Sequence, residues 1–387
     1  MNKHDGLADW MSKLPAELTT VPLWNLAIPG SHDSMAYCLD TSGDLEPDIP
    51  SWYPNLEEVF PGVYKYIIKR WTSTQALSIT QQLDVGVRFF DMRIARLPDE
   101  DDGTLYFAHI LYTTATVLRT FRQMSKWLAE HPKEVVIISC SNFNSMSDDD
   151  HQAFITQLME IFSHTLYAFD QNDLQGGNSN NLPMPPTDAT WWTFRTPAFY
   201  VDYTTDPNPN VHCIALYYSV LFWLQVTPTL QDCWEKNHQV ILSYADQKQA
   251  ANQELLWPEI DYWKANPKAG DEEVGYGSVA EKRAEEVVEY LTNRLQKEGR
   301  DEAKFFVSGL NVTAVEYDVL GDPLGELVKW ASDARPQLMQ WAIKQQPGPG
   351  HNCINILAMD FVDQEFVQTV ININTGKENN TGKNDCE

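Results

Sequence analysis

Short apolar runs that read as buried strands occupy 23–28, 87–94, 105–108, 135–140, 239–244, 304–310 and 353–359. Between them, apolar residues recur every three or four positions, the period of a helix with one buried face. Ser78 with Gln81 is a capping box that opens a helix stopping at Gly86. Val117, Phe121, Met124 and Leu128 define a helix that ends before His131-Pro132. Ser147 with Asp148, Asp149 and Asp150 caps another, carrying Phe154, Leu158 and Phe162 on one face. Helical stretches at 274–296 and 324–344 separate the last strands. Strands alternating with helices predict an α/β fold, a distorted TIM-type β/α barrel. Seven strands are clear, so an eighth is expected in a weaker segment.

The alternation breaks between 168 and 228, where Gln175-Gly176-Gly177-Asn178-Ser179 and a cluster of prolines read as an insertion. Within it, 214–224 is strongly apolar. It is shorter than the roughly 20 residues a bilayer span takes and lacks a basic face, so a buried element is favoured over a membrane one. The expected organisation is a single barrel domain over 1–387. Its first half, at 22–165, carries the chemistry-bearing motifs, 168–228 is the excursion, 229–376 completes the barrel and 377–387 is a flexible tail. A second excursion precedes the second strand: 40–48 is acidic, whereas 63–71 mixes Lys65, Lys69 and Arg70 with aromatic and aliphatic residues. That stretch is the best local candidate for membrane contact, against an amphipathic element packed on the barrel with its lysines in solvent.

At 387 residues and 43% hydrophobic content, the chain exceeds the roughly 250 residues a β/α barrel commonly needs. Its net charge of −26 opposes a nucleic-acid role and weakens adsorption to anionic lipids. Any membrane contact therefore rests on local patches or aromatic insertion. The N-terminus lacks an apolar signal segment and the 6 cysteines show no paired spacing, which points to a cytoplasmic protein, peripheral where it meets membranes.

Three of the strand-like runs end in ionisable residues: Pro29-Gly30-Ser31-His32-Asp33-Ser34, Arg88-Phe89-Phe90-Asp91-Met92-Arg93 and Tyr106-Phe107-Ala108-His109. In a parallel barrel, residues just past the strands' C-terminal ends converge on one open face. Two imidazoles there can share a proton-transfer task near neutral pH, and an arginine offers a fork of donors suited to phosphate. Blander readings exist for each piece. The Ser31 box can be a capped turn, Asp91 and Arg93 a structural pair, and His109 a packing histidine.

In this order and spacing, the boxes resemble the X domain of phosphatidylinositol-specific phospholipase C, in most detail its small stand-alone animal members of type 1. The resemblance covers nearly the whole chain. It includes Ala8-Asp9-Trp10-Met11-Ser12, Thr74-Gln75-Ala76-Leu77, Gln82-Leu83-Asp84-Val85-Gly86-Val87-Arg88 and Tyr112-Thr113-Thr114. It continues through His131-Pro132-Lys133-Glu134, Leu256-Trp257-Pro258 and Pro347-Gly348-Pro349-Gly350 to Asp360-Phe361.

The resemblance implies a calcium-independent phosphoric diester hydrolase. It would cleave phosphatidylinositol, or a related inositol lipid at a membrane surface, to diacylglycerol and inositol cyclic phosphate. It implies His32 as general base, His109 as general acid, Asp33 assisting the leaving-group proton transfer, Arg93 holding the phosphate and Asp360 orienting His32, with Asp91 in support. The large calcium-dependent members place an acid where Arg93 stands and an asparagine where Asp33 stands, so no metal or other cofactor is expected. Bacterial members carry a lysine in the region of Ser141-Asn142-Phe143 and an arginine in that of Ser243-Tyr244-Ala245-Asp246. Asn142 and Tyr244 are then the expected substrate-side residues, with less positive charge than the family pattern. Ile110 also follows His109 where a glycine is common. The alternative is a barrel that binds an anionic lipid, a phosphate ligand or a protein partner with weak or no turnover. A metal-dependent glycerophosphodiesterase would require clustered acidic ligands that these motifs lack.

Overall fold

A computed structural model describes residues 6–47, 49–50, 52–98, 102–168, 228–250, 253, 255–265, 279–301 and 304–376. The expected insertion at 168–228, with its apolar 214–224 stretch, and the expected tail at 377–387 lie essentially outside them. Nine strands form one sheet: β1 (Ile28–Ser31), β2 (Phe89–Arg96), β3 (Leu105–His109), β4 (Leu111–Thr116), β5 (Val136–Asn144), β6 (Val240–Tyr244), β7 (Asp261–Trp263), β8 (Phe306–Leu310) and β9 (Ile356–Met359).

Seven of these run parallel in the order β6-β5-β2-β1-β9-β8-β7, the curled sheet of a TIM-type barrel. Every residue of β6, β8 and β9 is buried, as expected for staves covered on both faces. The two ends of the sheet approach through Trp257, which exchanges backbone hydrogen bonds with Leu242 and Tyr244 of β6 before the chain joins β8 as β7. The strand expected in a weaker segment is thus split between Trp257 and Asp261–Trp263, and it is one of the seven parallel staves among the described residues.

Two strand expectations need correction. The run at 23–28 is mostly not extended: Leu23–Asn25 is a 3-10 turn, and β1 starts at Ile28. Side chains satisfy the carbonyls there, Asn355 Nδ2 donating to Leu23 and Leu26 and Arg300 Nη1 to Trp24, so the segment needs no ladder. The run at 105–108 is not a barrel stave. As β3 it pairs antiparallel with β2 through Ile94 to Arg96 and turns back as β4. The hairpin occupies the edge of β2 that the short β1 leaves open.

The helices follow their sequence signals. The capping box at Ser78 opens Ile79–Asp84, and Ser147 caps Asp148–Phe162. The helix Val117–Glu130 buries Val117, Phe121, Met124 and Leu128, and Phe121 packs against Phe107, Phe154 and Phe162. Gly30 lets β1 and β2 approach closely, since a Cβ there would lie 2.8 Å from Phe89 Cδ1. Among the described residues, no helix is long and apolar enough to cross a membrane.

Candidate active site

At the C-terminal end of β1 the chain turns sharply. Asp33 adopts a positive φ of 41°, its backbone N–H donates to Asp91 Oδ2 at 3.1 Å, and the Ser31 and Ser34 hydroxyls meet at 2.7 Å. Thr74 Oγ1 donates to the carbonyls of His32 and Asp33, and Gln75 Nε2 to those of His32 and Met359. The turn is therefore real, and it is braced so that His32 and Asp33 project into the barrel mouth.

Elementary donor rules fix the protonation of His32. Arg93 Nη2, which can only donate, lies 3.0 Å from His32 Nε2, so Nε2 carries the lone pair. Nδ1 is then the N–H, and it donates to Asp360 Oδ1 at 2.8 Å. Burial, together with Lys264, Arg93 and His109, holds His32 well below the ordinary histidine range, in its neutral form.

Asp33 is the hub. Its Oδ1 takes the Arg93 Nε–H at 2.7 Å, while Oδ2 lies 3.4 Å from His32 Nε2 and 3.3 Å from His109 Nε2. His109 Nδ1 donates to the Thr72 carbonyl at 2.7 Å, which leaves Nε2 facing Asp33. Burial pushes Asp33 up to about 7 despite the opposing pull of Arg93. Burial, Arg93 and Lys264 push His109 down to about 3. The transferable proton therefore rests on the Asp33–His109 pair rather than on the imidazole alone. Arg93 Nη2 also donates to Asp91 Oδ2 at 3.2 Å. A small recess beside this group is lined by Asp33, Asp91, Arg93 and His109 with apolar Met35 and Phe107.

His32, Asp33 and Asp91 offer donor atoms within 4.8 Å of one another, the spacing of a metal site. They do not fit a calcium ion. Arg93 already places its guanidinium on both carboxylates, and one His with two Asp is far from the six to eight oxygens calcium takes.

The structure thus gathers His32, Asp33, Asp91, Arg93, His109 and Asp360. It does not bring Asn142 or Tyr244 to them. Tyr244 is fully buried, stacked on Phe143 with its hydroxyl on His151 Nδ1 at 2.7 Å. Asn142 Nδ2 donates to Glu46 Oε1 at 2.8 Å beside a register shift between β2 and β5 that re-aims the strand end. Glu46 also accepts from Ile110 N–H and Asn144 Nδ2, so it is a buried carboxylate that anchors its stretch of chain to the β3–β4 turn and β5. Ile110, where the family favours glycine, has a φ of +66°, a left-handed conformation that a β-branched residue adopts under strain.

The 63–71 segment forms the helix Tyr64–Thr72, with Ile67, Ile68 and Trp71 in the core. Lys65, Lys69 and Arg70 donate to backbone carbonyls of Gly43, Leu39 and Leu324, leaving Tyr66 and Val63 exposed. The segment is packed, as the amphipathic reading expects, but Lys65 and Lys69 bind backbone carbonyls instead of standing in solvent.

Two site residues escaped the sequence reading. The Tyr262 ring lies 5.7 Å from that of His32, and Lys264, two positions on, is electrostatically coupled to Arg93, Asp33, Asp360 and Asp91. Tyr262 lies on β7, the stave hidden behind Pro258, and Lys264 just past its end. The signal was the one used elsewhere, a strand ending in an ionisable residue.

A family model described as PI-PLC X 1 matches residues 64–173, the span holding Arg93 and His109. Among solved structures, the phosphatidylinositol-specific phospholipase C of Listeria monocytogenes is similar over 95% of this chain and 99% of its own, with a TM-score of 0.56 and 17% identity, a likeness of fold. PI-PLC X domain-containing protein 1 of Danio rerio is 34% identical over 97% of this chain and 99% of that protein. Its Homo sapiens counterpart is 32% identical over 95% and 92%. With identity of this level across nearly the full length of both proteins, the chain belongs to the PI-PLC X domain-containing protein family.

Proposed function

We propose that this protein is a calcium-independent phosphodiesterase of the phospholipase C type, acting on phosphatidylinositol or a related inositol lipid. The observation that carries this reading is the pair of imidazole Nε2 atoms on either side of Asp33 Oδ2, at 3.4 and 3.3 Å, with Arg93 between the carboxylates. A binder needs no such proton relay.

His32 Nε2 takes the proton of the inositol 2-hydroxyl, and the resulting oxygen attacks phosphorus. The bond from phosphorus to the glycerol oxygen breaks, and the Asp33–His109 pair returns a proton to that oxygen. Diacylglycerol leaves and a five-membered inositol cyclic phosphate remains. Arg93 transfers its Nη2 hydrogen bond from His32 to a phosphoryl oxygen, supplying the positive charge that the larger relatives draw from calcium. Asp360 keeps His32 in the productive tautomer, as the triad carboxylate does in acyl transfer. The lipid is met peripherally in the cytoplasm, with the exposed Val63 and Tyr66 as the contact.

Phosphorus NMR of phosphatidylinositol vesicles incubated with the protein tests this directly. The expected product is the cyclic phosphodiester. Phosphatidic acid as product, or an unchanged spectrum with lipid bound, would instead support a different reaction or the binding barrel.

A further inference from the structure

His32 stands between two walls. On one side β2 and the β3 hairpin carry Arg93 and His109; on the other, β9, β8 and β7 follow in order around the sheet. The first wall holds the leaving-group machinery. The second contributes Asp360 just past β9, and beyond it Tyr262 and Lys264. Side chains alternate along an extended chain. Tyr262 faces the site, 5.7 Å from His32, while Trp263 turns away onto Phe306 and Arg294. Lys264, just past the strand end, returns to the Tyr262 face.

We propose that Lys264 is a substrate-binding residue that holds the phosphorylated inositol head group from the wall opposite Arg93. The proposal rests on the function proposed above and names a contact which that reading lacks.

Three observations carry it. First, among the described residues no hydrogen bond or ion pair engages the Lys264 ammonium, and no carboxylate lies within ion-pair distance; yet the side chain is half-buried. Arg93, by contrast, is already held by Asp33, Asp91 and His32. Second, Asp360 Oδ2 is buried without a hydrogen-bond partner on the same wall, an acceptor for a ring hydroxyl. Third, acids outnumber bases around the pocket: Asp33, Asp91 and Asp360 face Arg93 and Lys264. Without Lys264, Arg93 alone would offset three acidic side chains where an anionic phosphodiester binds. Lys264 therefore takes the place of the positive charge that Asn142 and Tyr244 do not supply, reaching the ring from a different strand.

Burial and Arg93 lower the ammonium's pKa, which makes it reactive towards acylating reagents and gives a readout without substitution. Titration calorimetry of the full chain with myo-inositol 1-phosphate in excess EGTA compares wild type, Lys264→Met and Lys264→Arg. The expected result is at least about tenfold weaker binding for Lys264→Met and a change under about threefold for Lys264→Arg, with unchanged melting temperatures. Should Lys264→Met melt early, the wild type decides alone: myo-inositol 1-phosphate should protect Lys264 from acetic anhydride, read by peptide mass spectrometry.

Binding by Lys264→Met within threefold of wild type, unprotected Lys264, or a wild type that fails to bind the probe at millimolar concentration each overturns the inference. These readouts do not depend on turnover. A protein that binds the probe through Lys264 but never cleaves lipid sinks the hydrolase and keeps this contact. A hydrolase indifferent to Lys264→Met in both kcat and KM does the reverse.

Discussion

Arg88 enters β2 and Arg93 lies within it, yet the two arginines live in opposite worlds. Arg88 is fully buried and closed. Its Nε and Nη2 bind Glu134 Oε2 at 3.0 and 2.8 Å, Nη1 reaches the carbonyls of Leu83 and Val87, and Nη2 that of Ala8. Glu134 in turn accepts from the N–H groups of Met11 and Ser12, so this ion pair ties the N-terminal segment beneath the barrel. Arg93 sits at the mouth with its side chain partly exposed, among carboxylates of which Asp33 Oδ2 and Asp360 Oδ2 lack hydrogen-bond partners. A satisfied buried network specifies structure; an incomplete one at the open end of a barrel is kept for something that arrives later.

The contrast can be broken from either end. Arg93→Met and His32→Ala should each lower phosphodiesterase activity about 10²- to 10⁴-fold and leave the melting temperature within about 3 °C. Parallel lipid assays and thermal melts check this; a large drop in stability would make Arg93 a second Arg88. At the other pole, Glu134→Gln leaves Arg88 charged and buried. In urea melts it should cost about 3–5 kcal/mol, with activity per folded molecule retained.

The pH profile separates the two more finely. Because the folded pKa of Asp33 is about 7, the Asp33–His109 pair loses its proton as pH rises through 7, and kcat/KM should then fall about tenfold per unit. His32, held low by burial and neighbouring cations, stays a free base below pH 6.5, so the acid limb lies well under the ordinary histidine value. The linkage sign follows. A raised carboxyl favours the folded state below its unfolded value near 3.8, and that contribution is lost as pH rises through 7. Asp33→Asn should therefore abolish the alkaline limb along with most activity, yet be about 1–2 kcal/mol more stable than wild type at pH 8. A profile unchanged above pH 7 would place the acid elsewhere. The smallest effect is expected at Asn142→Ala, about 1 kcal/mol of stability through Glu46 and less than about threefold in KM.

Much of this site was legible before the fold. Apolar runs ending in His32, Arg93 and Asp360 marked strand ends on one face, and the His32–Asp360 contact at 2.8 Å joins residues 328 positions apart. Strand direction was not legible: Leu105–His109 reads the same parallel or antiparallel, and only pairing with β2 shows it to be a hairpin arm. Nor were the residues whose aim depends on a bulge or on the packing of a helix. Tyr244 belongs to the layer under Asp148–Phe162, and Asn142 to the Glu46 network. Lys264 was hidden because a stave of three residues, Asp261–Trp263, leaves too short a run for periodicity to register. The role of Glu46 was not legible either, because composition does not distinguish a charge facing water from one binding buried amides.

The central claim is that Arg93, not a metal ion, supplies positive charge to the phosphate in a His32–His109 relay. It is tested most directly by phosphatidylinositol hydrolysis in excess EGTA, before and after calcium is restored. Full activity under chelation, unchanged by added calcium and lost in His32→Ala and His109→Ala, is the predicted result; activity that vanishes with EGTA and returns with calcium would contradict it.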